Sequence, residues 1–301
     1  MFNTTSSFLL MQFHYSGALQ IFIFVLLLLS YLITLAGNIL IIIVISKHQS
    51  LHTPMYFFLS NLSIVEICVT TTITPKLLSI VALGNSTISY WGCALQCYFY
   101  FVLGSIDFFL LAVMSFDRYV AVCQPLHYVT LMNHRLCLYL AAGSWLFGFV
   151  DTLPPTIFTY KLPFCGSVIE HFFCDIDPLL KLVCEDISLI NLLNLIASSF
   201  TILGSIACIM VSYTLIIFAI FKIRSGGQRW KTFSTCSSHL MLVVIFYSGS
   251  LFMCLRFING SSFEFNKMAV VLNTIITPML NPFIYTLRNS QVQHAIQVVF
   301  L

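Results

Sequence analysis

The sequence predicts an all-α membrane fold, a bundle of seven hydrophobic helices crossing a bilayer, and three observations carry that prediction. The first is composition: of 301 residues, 59% are hydrophobic and 8% charged, with a mean hydropathy of +0.98. Soluble domains run at about 45–50% apolar and about 25% charged, so this chain folded in water would expose large apolar patches. The second is segment length. A spanning helix needs about 20 mostly apolar residues, and seven stretches qualify: 20–46, 55–82, 94–122, 136–153, 187–221, 232–255 and 268–287.

The third observation is sidedness. With the N-terminus outside, the inner face carries Lys47, Arg118, Arg135, Lys222, Arg224, Arg229, Lys231 and Arg288. The outer face holds Lys76, Lys161, Lys181, Arg256 and Lys267, diluted by Glu170, Asp175, Asp177, Glu185, Asp186 and Glu264. That is a positive-inside bias. Independently, the sequons at Asn3, Asn85 and Asn259 all fall on the outer face, where glycosylation occurs. A fourth, at Asn61, lies inside a helix. The predicted organisation is a single domain over 1–301: an extracellular N-terminus (1–19), the bundle (20–287) and a short cytoplasmic tail (288–301).

Each span has its own signature. The first is too long for a cleavable signal peptide and has no basic region before it. The second carries Glu66; the third carries Asp107 and closes on Asp117 and Arg118 at its cytoplasmic end. The fifth is longer than a bilayer requires, so its outer end projects beyond the membrane. The first, fifth, sixth and seventh contain no Asp, Glu, Lys or Arg. The seventh holds Pro278 and Pro282; proline removes a backbone donor, so this helix is expected to bend there, with Asn281 re-satisfying the freed carbonyls.

Two carboxylates, Glu66 and Asp107, are read as lying inside spans, where acids are expensive and mark polar sites. Asn38, Ser63, Asn273 and Asn281 can supply further oxygens. Spacing alone leaves two readings open: a sodium or proton site coupled to conformation, or a hydrogen-bond network holding helices together. On the third span Cys97, Tyr100, Phe101, Gly104, Ser105 and Phe108 form a stripe in the outer half. Gly104 and Ser105 leave room between aromatics for a small apolar guest, with Tyr247, Ser250, Leu251 and Cys254 at a similar depth on the sixth span.

Of 11 cysteines, Cys93, Cys165, Cys174 and Cys184 belong to the outer face, where disulfides form. Four cysteines allow three pairings, and sequence alone does not choose among them. "HFFCD" at 171–175 contains soft-to-borderline metal ligands; the expectation is instead an oxidised Cys174 and an exposed His171. No His–Glu–x–x–His stretch or Gly-rich phosphate loop occurs, so no enzyme is expected. The net charge of +3 is too small and scattered for nucleic acid.

Several stretches, in order, closely resemble the olfactory receptors, a branch of the rhodopsin-like G protein-coupled receptors, and look like its tetrapod-type group. They are "GN" at 37, "LHTPMYFFLSNLS" at 51–63, "MSFDRYVAVC" at 114–123, "SY" at 212, "KTFSTCSSH" at 231–239 and "PMLNPFIYTLRN" at 278–289. The second and fifth are specific to the olfactory branch. The resemblance implies disulfides Cys93–Cys174 and Cys165–Cys184, and it favours a sodium ion at Glu66 and Asp107, with no other cofactor required. It implies a pocket for small, volatile, mostly apolar odorants made by Tyr100, Phe101, Gly104, Ser105, Phe108, Ser198, Thr201, Tyr247, Ser250, Leu251, Cys254, Val271 and Thr274. Asp117, Arg118, Tyr119, Tyr213, Lys231, His239 and Tyr285 would couple to a stimulatory, olfactory-type heterotrimeric G protein that raises cyclic AMP. The expected location is the plasma membrane, in contact with lipid, in the cilia of olfactory neurons.

Two features depart from the family pattern. Phe116 replaces a tyrosine before Asp117, with little effect expected. The tail "SQVQHAIQVVFL" is less basic than usual and lacks a cysteine for lipidation, so it is expected to lie only weakly along the inner membrane surface. Rival readings fare worse. A transporter often shows internal repeats, and none is found. A retinal protein needs a lysine in the seventh span, which has none. An amine receptor wants an acid in the outer half of the third span, where Tyr100 and Phe101 stand.

Overall fold

The computed structural model describes residues 6–11, 17–223, 225–259, 270–288 and 290–300. In chain order these form β1 (Ser7–Leu10), α1 (Gly17–Lys47), α2 (Pro54–Leu83), β2 (Thr87–Ser89), α3 (Tyr90–Cys123) and a short α4 (Tyr128–Leu131). There follow α5 (His134–Lys161), β3 (Val168–Ile169), the short α6 (Ile176–Leu180), α7 (Ser188–Lys222) and α8 (Gly226–Asn259). A π-helical turn (Leu272–Ile276) leads into α9 (Thr277–Arg288) and then α10 (Ser290–Phe300). Helices α1, α2, α3, α5 and α7 are each long and apolar enough to cross a bilayer. The sixth span is α8, with its apolar stretch at His239–Ser250, and the π turn with α9 makes the seventh.

Helix α3 is the axis of the bundle: it packs most extensively on α7, α5 and α2. Its start is fixed by Ser89, whose Oγ accepts the Gly92 N–H at 3.0 Å. The Asn133 side chain does the same for α5, accepting the Leu136 N–H at 2.9 Å. Helix α2 ends at Gly84, whose φ of 64° is left-handed and suits glycine. Because lipid is as apolar as leucine, helix association here rests on packing and interhelical hydrogen bonds. Trp145 of α5 donates to Asn61 of α2 at 3.1 Å. The fourth sequon's asparagine is thus a bridge between the second and fourth spans.

Several expectations needed correction. The fourth span does not stop at 153 but runs through Pro154 and Pro155 to Lys161. In the seventh, the irregular turn lies at Leu272–Ile276, ahead of both prolines. The carbonyl freed by Pro282, that of Pro278, is met by Asn38 Nδ2 at 3.3 Å and not by Asn281. Gly37 makes this possible: a Cβ there would sit 2.9 Å from the Pro282 ring, so only glycine lets the first span come this close. The tail is also better held than its composition suggests, because Val292 and Ala295 of α10 are buried and the helix packs on α9 and α1.

The strands were not foreseen at all. β1 lies between β2, to which it is antiparallel, and β3, to which it is parallel. Phe8 in β1 is fully buried against Tyr90 and Phe164. The N-terminal segment is therefore part of the outer cap.

Candidate functional site

The outer cap is stapled covalently. Disulfides join Cys93 to Cys174 and Cys165 to Cys184. Gln96 of α3 adds a polar tie: its amide donates to the Thr72 carbonyl and its oxygen accepts the Cys174 N–H, both at 3.0 Å. The roof segment 172–174 is buried, and Phe173 sits edge-on to Tyr100 at 4.9 Å. His171, expected to be exposed, is fully buried and stacked on Phe172 at 4.5 Å, because the disulfide pulls its segment down into the bundle.

Beneath the roof the predicted pocket residues separate into groups. Tyr100 and Val271 join the apolar cluster of Ile73, Phe172 and Phe173. Phe101 turns to the other side, onto the cluster of Phe8, Phe164 and Ile190. Deeper, Phe108 meets Phe246 at 4.7 Å and Tyr247 at 5.2 Å. Space remains beside Gly104, where an added Cβ would touch nothing within 4 Å. Ser105, Thr201, Ser250 and Thr274 are buried at this level. Ser198 does not join them: it is exposed, and its hydroxyl bonds back to Asn194 of its own helix. The side chains of Leu251 and Cys254 lie outside the described residues.

A third carboxylate inside a span, Asp151, went unremarked in the sequence although it lies within 136–153. It stands on α5 and accepts the Thr201 hydroxyl of α7 at 2.8 Å. The polar path continues inward. Ser205 Oγ donates to the Thr201 carbonyl at 2.6 Å, and the Tyr247 hydroxyl of α8 donates to Ser205 Oγ at 2.6 Å. The fourth, fifth and sixth spans are linked through these groups.

At mid-membrane, Glu66 Oε1 accepts the Asn281 amide of the seventh span. Glu66, Asp107, Thr277 and Asn281, with Leu62, Leu111, Leu242 and Phe246, line a cavity of about 10 Å³. That is room for roughly one water-sized occupant. Among the described residues, Asp107 Oδ1 and Asn281 Oδ1 are buried there with no hydrogen-bond partner. Asn38 Oδ1 and Asn273 Oδ1 are likewise buried without a partner among the described residues, but neither residue lines this cavity: the Asn38 amide donates to the Thr34 and Pro278 carbonyls, and that of Asn273 lies 3.4 Å from Ser250 Oγ. Oxygen donors without partners suit a hard cation.

At the cytoplasmic end, Asp117 is fully buried and Arg118 is 13% exposed, with Nη2 2.5 Å from Asp117 Oδ2. Tyr128 of α4 donates to the other carboxylate oxygen at 2.8 Å. Burial first, and then the Asp117 charge, raise the Tyr128 pKa, so the phenol keeps its proton. Tyr213 of α7 lies 2.7 Å from His239 Nδ1 of α8 with the rings parallel, and its hydroxyl also reaches the Cys236 carbonyl at 3.2 Å. Tyr119 rests against Phe116. Lys222 and Arg229 are exposed beside this mouth. The side chains of Lys231 and Tyr285 lie outside the described residues, as does Arg224. Among the sequons, Asn85 is exposed; Asn3 and the Asn259 side chain lie outside the described residues. Tyr128 could not be found from spacing, since it is reached through a loop.

A stapled outer cap, a polar centre and a cytoplasmic ion pair on one seven-helix bundle are the features of a rhodopsin-like receptor. The fold matches squid rhodopsin with a TM-score of 0.78, at 17% identity, over 96% of this chain and 82% of that one. The chain belongs to the olfactory receptor family: the family model described as "Olfactory receptor" matches residues 27–301. It is 46% identical to olfactory receptor 6E1 of Mus musculus, over 96% of this chain and 93% of that one. It is 47% identical to olfactory receptor 6X1 of Homo sapiens (97% and 94%) and 47% to olfactory receptor 287 of Rattus norvegicus (98% and 95%). It is thus a multi-pass membrane protein and a signalling receptor rather than an enzyme.

Proposed function

We propose that this receptor binds small, volatile, mostly apolar odorants in the outer chamber and activates a stimulatory, olfactory-type G protein, raising cyclic AMP in olfactory cilia. One observation carries the reading: a single helix, α8, reaches both ends of the problem. Tyr247 faces Phe108 and Ser205 in the chamber, and His239 faces Tyr213 at the cytoplasmic lock. The two are eight residues apart, about 12 Å along a helix. A guest that displaces Tyr247 moves the same rigid element that holds the lock. Arg118 and Tyr119, with Tyr213 and His239, then face a cavity for the G protein's terminal helix.

The test is a cyclic AMP assay in cells expressing the chain, screened with a diverse odorant panel against an Arg118→Ala control. Odorant responses are expected in the parent and absent in the control. Responses persisting undiminished in Arg118→Ala overturn the coupling role.

We propose in addition that Glu66, Asp107 and Asn281 hold a sodium ion. The partnerless Asp107 and Asn281 oxygens around a one-occupant cavity support it. Replacing external sodium with a bulky organic cation should then raise basal cyclic AMP, and Asp107→Asn should remove that sensitivity. An equal sodium response in Asp107→Asn would exclude the site.

A further inference from the structure

A hydroxyl group has one proton to give and two lone pairs to receive with. Most hydroxyls of the proposed chamber have already placed their protons. Thr201 gives its proton to Asp151, Ser205 to the Thr201 carbonyl and Tyr247 to Ser205. On the sixth and seventh spans, Ser250 donates to the Phe246 carbonyl at 2.9 Å and Thr274 to the Val270 carbonyl at 2.7 Å. Ser105 and Tyr100 differ: among the described residues neither hydroxyl makes a hydrogen bond to a protein group.

Resting on the odorant reading above, we infer that the chamber selects odorants bearing a hydroxyl over matched ketones, aldehydes and ethers, with Thr201 as the selecting acceptor and Asp151 as the residue that makes it one. A ligand hydroxyl donates to a Thr201 lone pair and can still accept from Ser105. A carbonyl or ether oxygen only accepts. It meets an array whose protons are mostly turned away from it, and its desolvated lone pairs find only the Ser105 and Tyr100 hydroxyls. A site built to bond a hydroxyl discriminates strongly against analogues that lack one, because its own buried polar atoms are then left without partners.

Asp151 sets the polarity of this arrangement. Thr201 is 3% exposed, and in a helix its hydroxyl has the ordinary alternative of the carbonyl one turn earlier. The carboxylate instead draws the proton sideways, toward the fourth span. It thereby fixes which lone pairs remain, so Asp151 is a positioning residue that reaches the ligand through Thr201.

The experiment uses the full chain in cells, with surface labelling of every variant. The probes are matched sets on straight-chain, terpenoid and phenyl skeletons, for example octanol, octanal and methyl octyl ether. In the parent the alcohol of a responding set should be at least about tenfold more potent than its carbonyl and ether partners. Thr201→Val, which keeps the shape and removes the hydroxyl, should collapse that ratio to within about twofold, and Thr201→Ser should restore it. Because the readout is a ratio within one variant, altered surface abundance cancels. Carbonyl or ether probes matching the alcohol in the parent overturn the inference while leaving the odorant reading intact. So does an unchanged ratio in Thr201→Val. A surface-labelled parent that answers no probe of any class overturns the odorant reading, and this inference with it.

Discussion

The outer and cytoplasmic ends of this bundle are both closed, but by different physics. Outside, two disulfides, a three-stranded sheet and the buried Phe8 and Phe173 hold the roof. Inside, among the described residues, Arg118 is held by its neighbour Asp117, Asp117 by the Tyr128 hydroxyl, and the fifth and sixth spans by Tyr213 on His239. Covalent closure fixes a shape, whereas hydrogen bonds worth roughly 0.5–1.5 kcal/mol each exchange with water or a partner. The difference suits a receptor: one end stays capped, and the other can open.

The largest expected effect breaks the outer closure. Cys174→Ser removes a link across 81 residues, and losing such a disulfide typically costs about 2–5 kcal/mol. Surface labelling should fall severalfold, while Cys208→Ser, an exposed thiol, leaves it unchanged. Normal labelling of Cys174→Ser would mean that the sheet and Gln96 suffice.

Next comes the strut between the two ends. A Cβ on Gly249 of α8 would overlap the Asn273 side chain of the seventh span. Gly249→Ala should therefore force the two spans apart at about 1–3 kcal/mol, read as a lower thermal midpoint of the purified receptor. An unchanged midpoint would show that Asn273 swings aside freely.

The cytoplasmic closure should respond more gently. Tyr128→Phe deletes one hydrogen bond to Asp117, and about 1 kcal/mol should raise basal cyclic AMP roughly fivefold at equal surface density. A lower basal level would assign Tyr128 to the open state instead.

The smallest effect is again outside. Asp186 is fully exposed, and hydrogen bonds from the Ser188 hydroxyl and N–H lower its pKa. A lowered carboxylate pKa stabilises the fold above the unfolded value of about 3.9, and that contribution is lost as pH falls through the folded value. Ser188→Ala should thus lower thermal stability at neutral pH only slightly, and the difference from the parent should vanish in strong acid. A marked change at neutral pH would contradict this.

The spans were legible because hydrocarbon offers no partner for a backbone amide, so each crossing must be a long apolar helix. Glu66, Asp107 and Arg118 stood out for the same reason, as charged groups in an oily run. The strand containing Phe8 was not legible: four residues pair only because β2 and β3, some 80 and 160 positions away, present matching edges. Tyr128 and Gln96 were missed because nothing in their local sequence says what they touch. Asp151 was visible as an acid in a span, but its meaning depends on Thr201.

By itself, then, the sequence determined how many times the chain crosses the bilayer, which way it faces and which family it resembles, since those follow from transfer energies and local motifs. Tertiary structure alone decided which polar groups meet: Asn38 with Pro278, Glu66 with Asn281, Asp151 with Thr201. A hydrogen bond requires correct depth and rotation on two helices at once. Both are set by how the whole bundle packs, and no single segment records them.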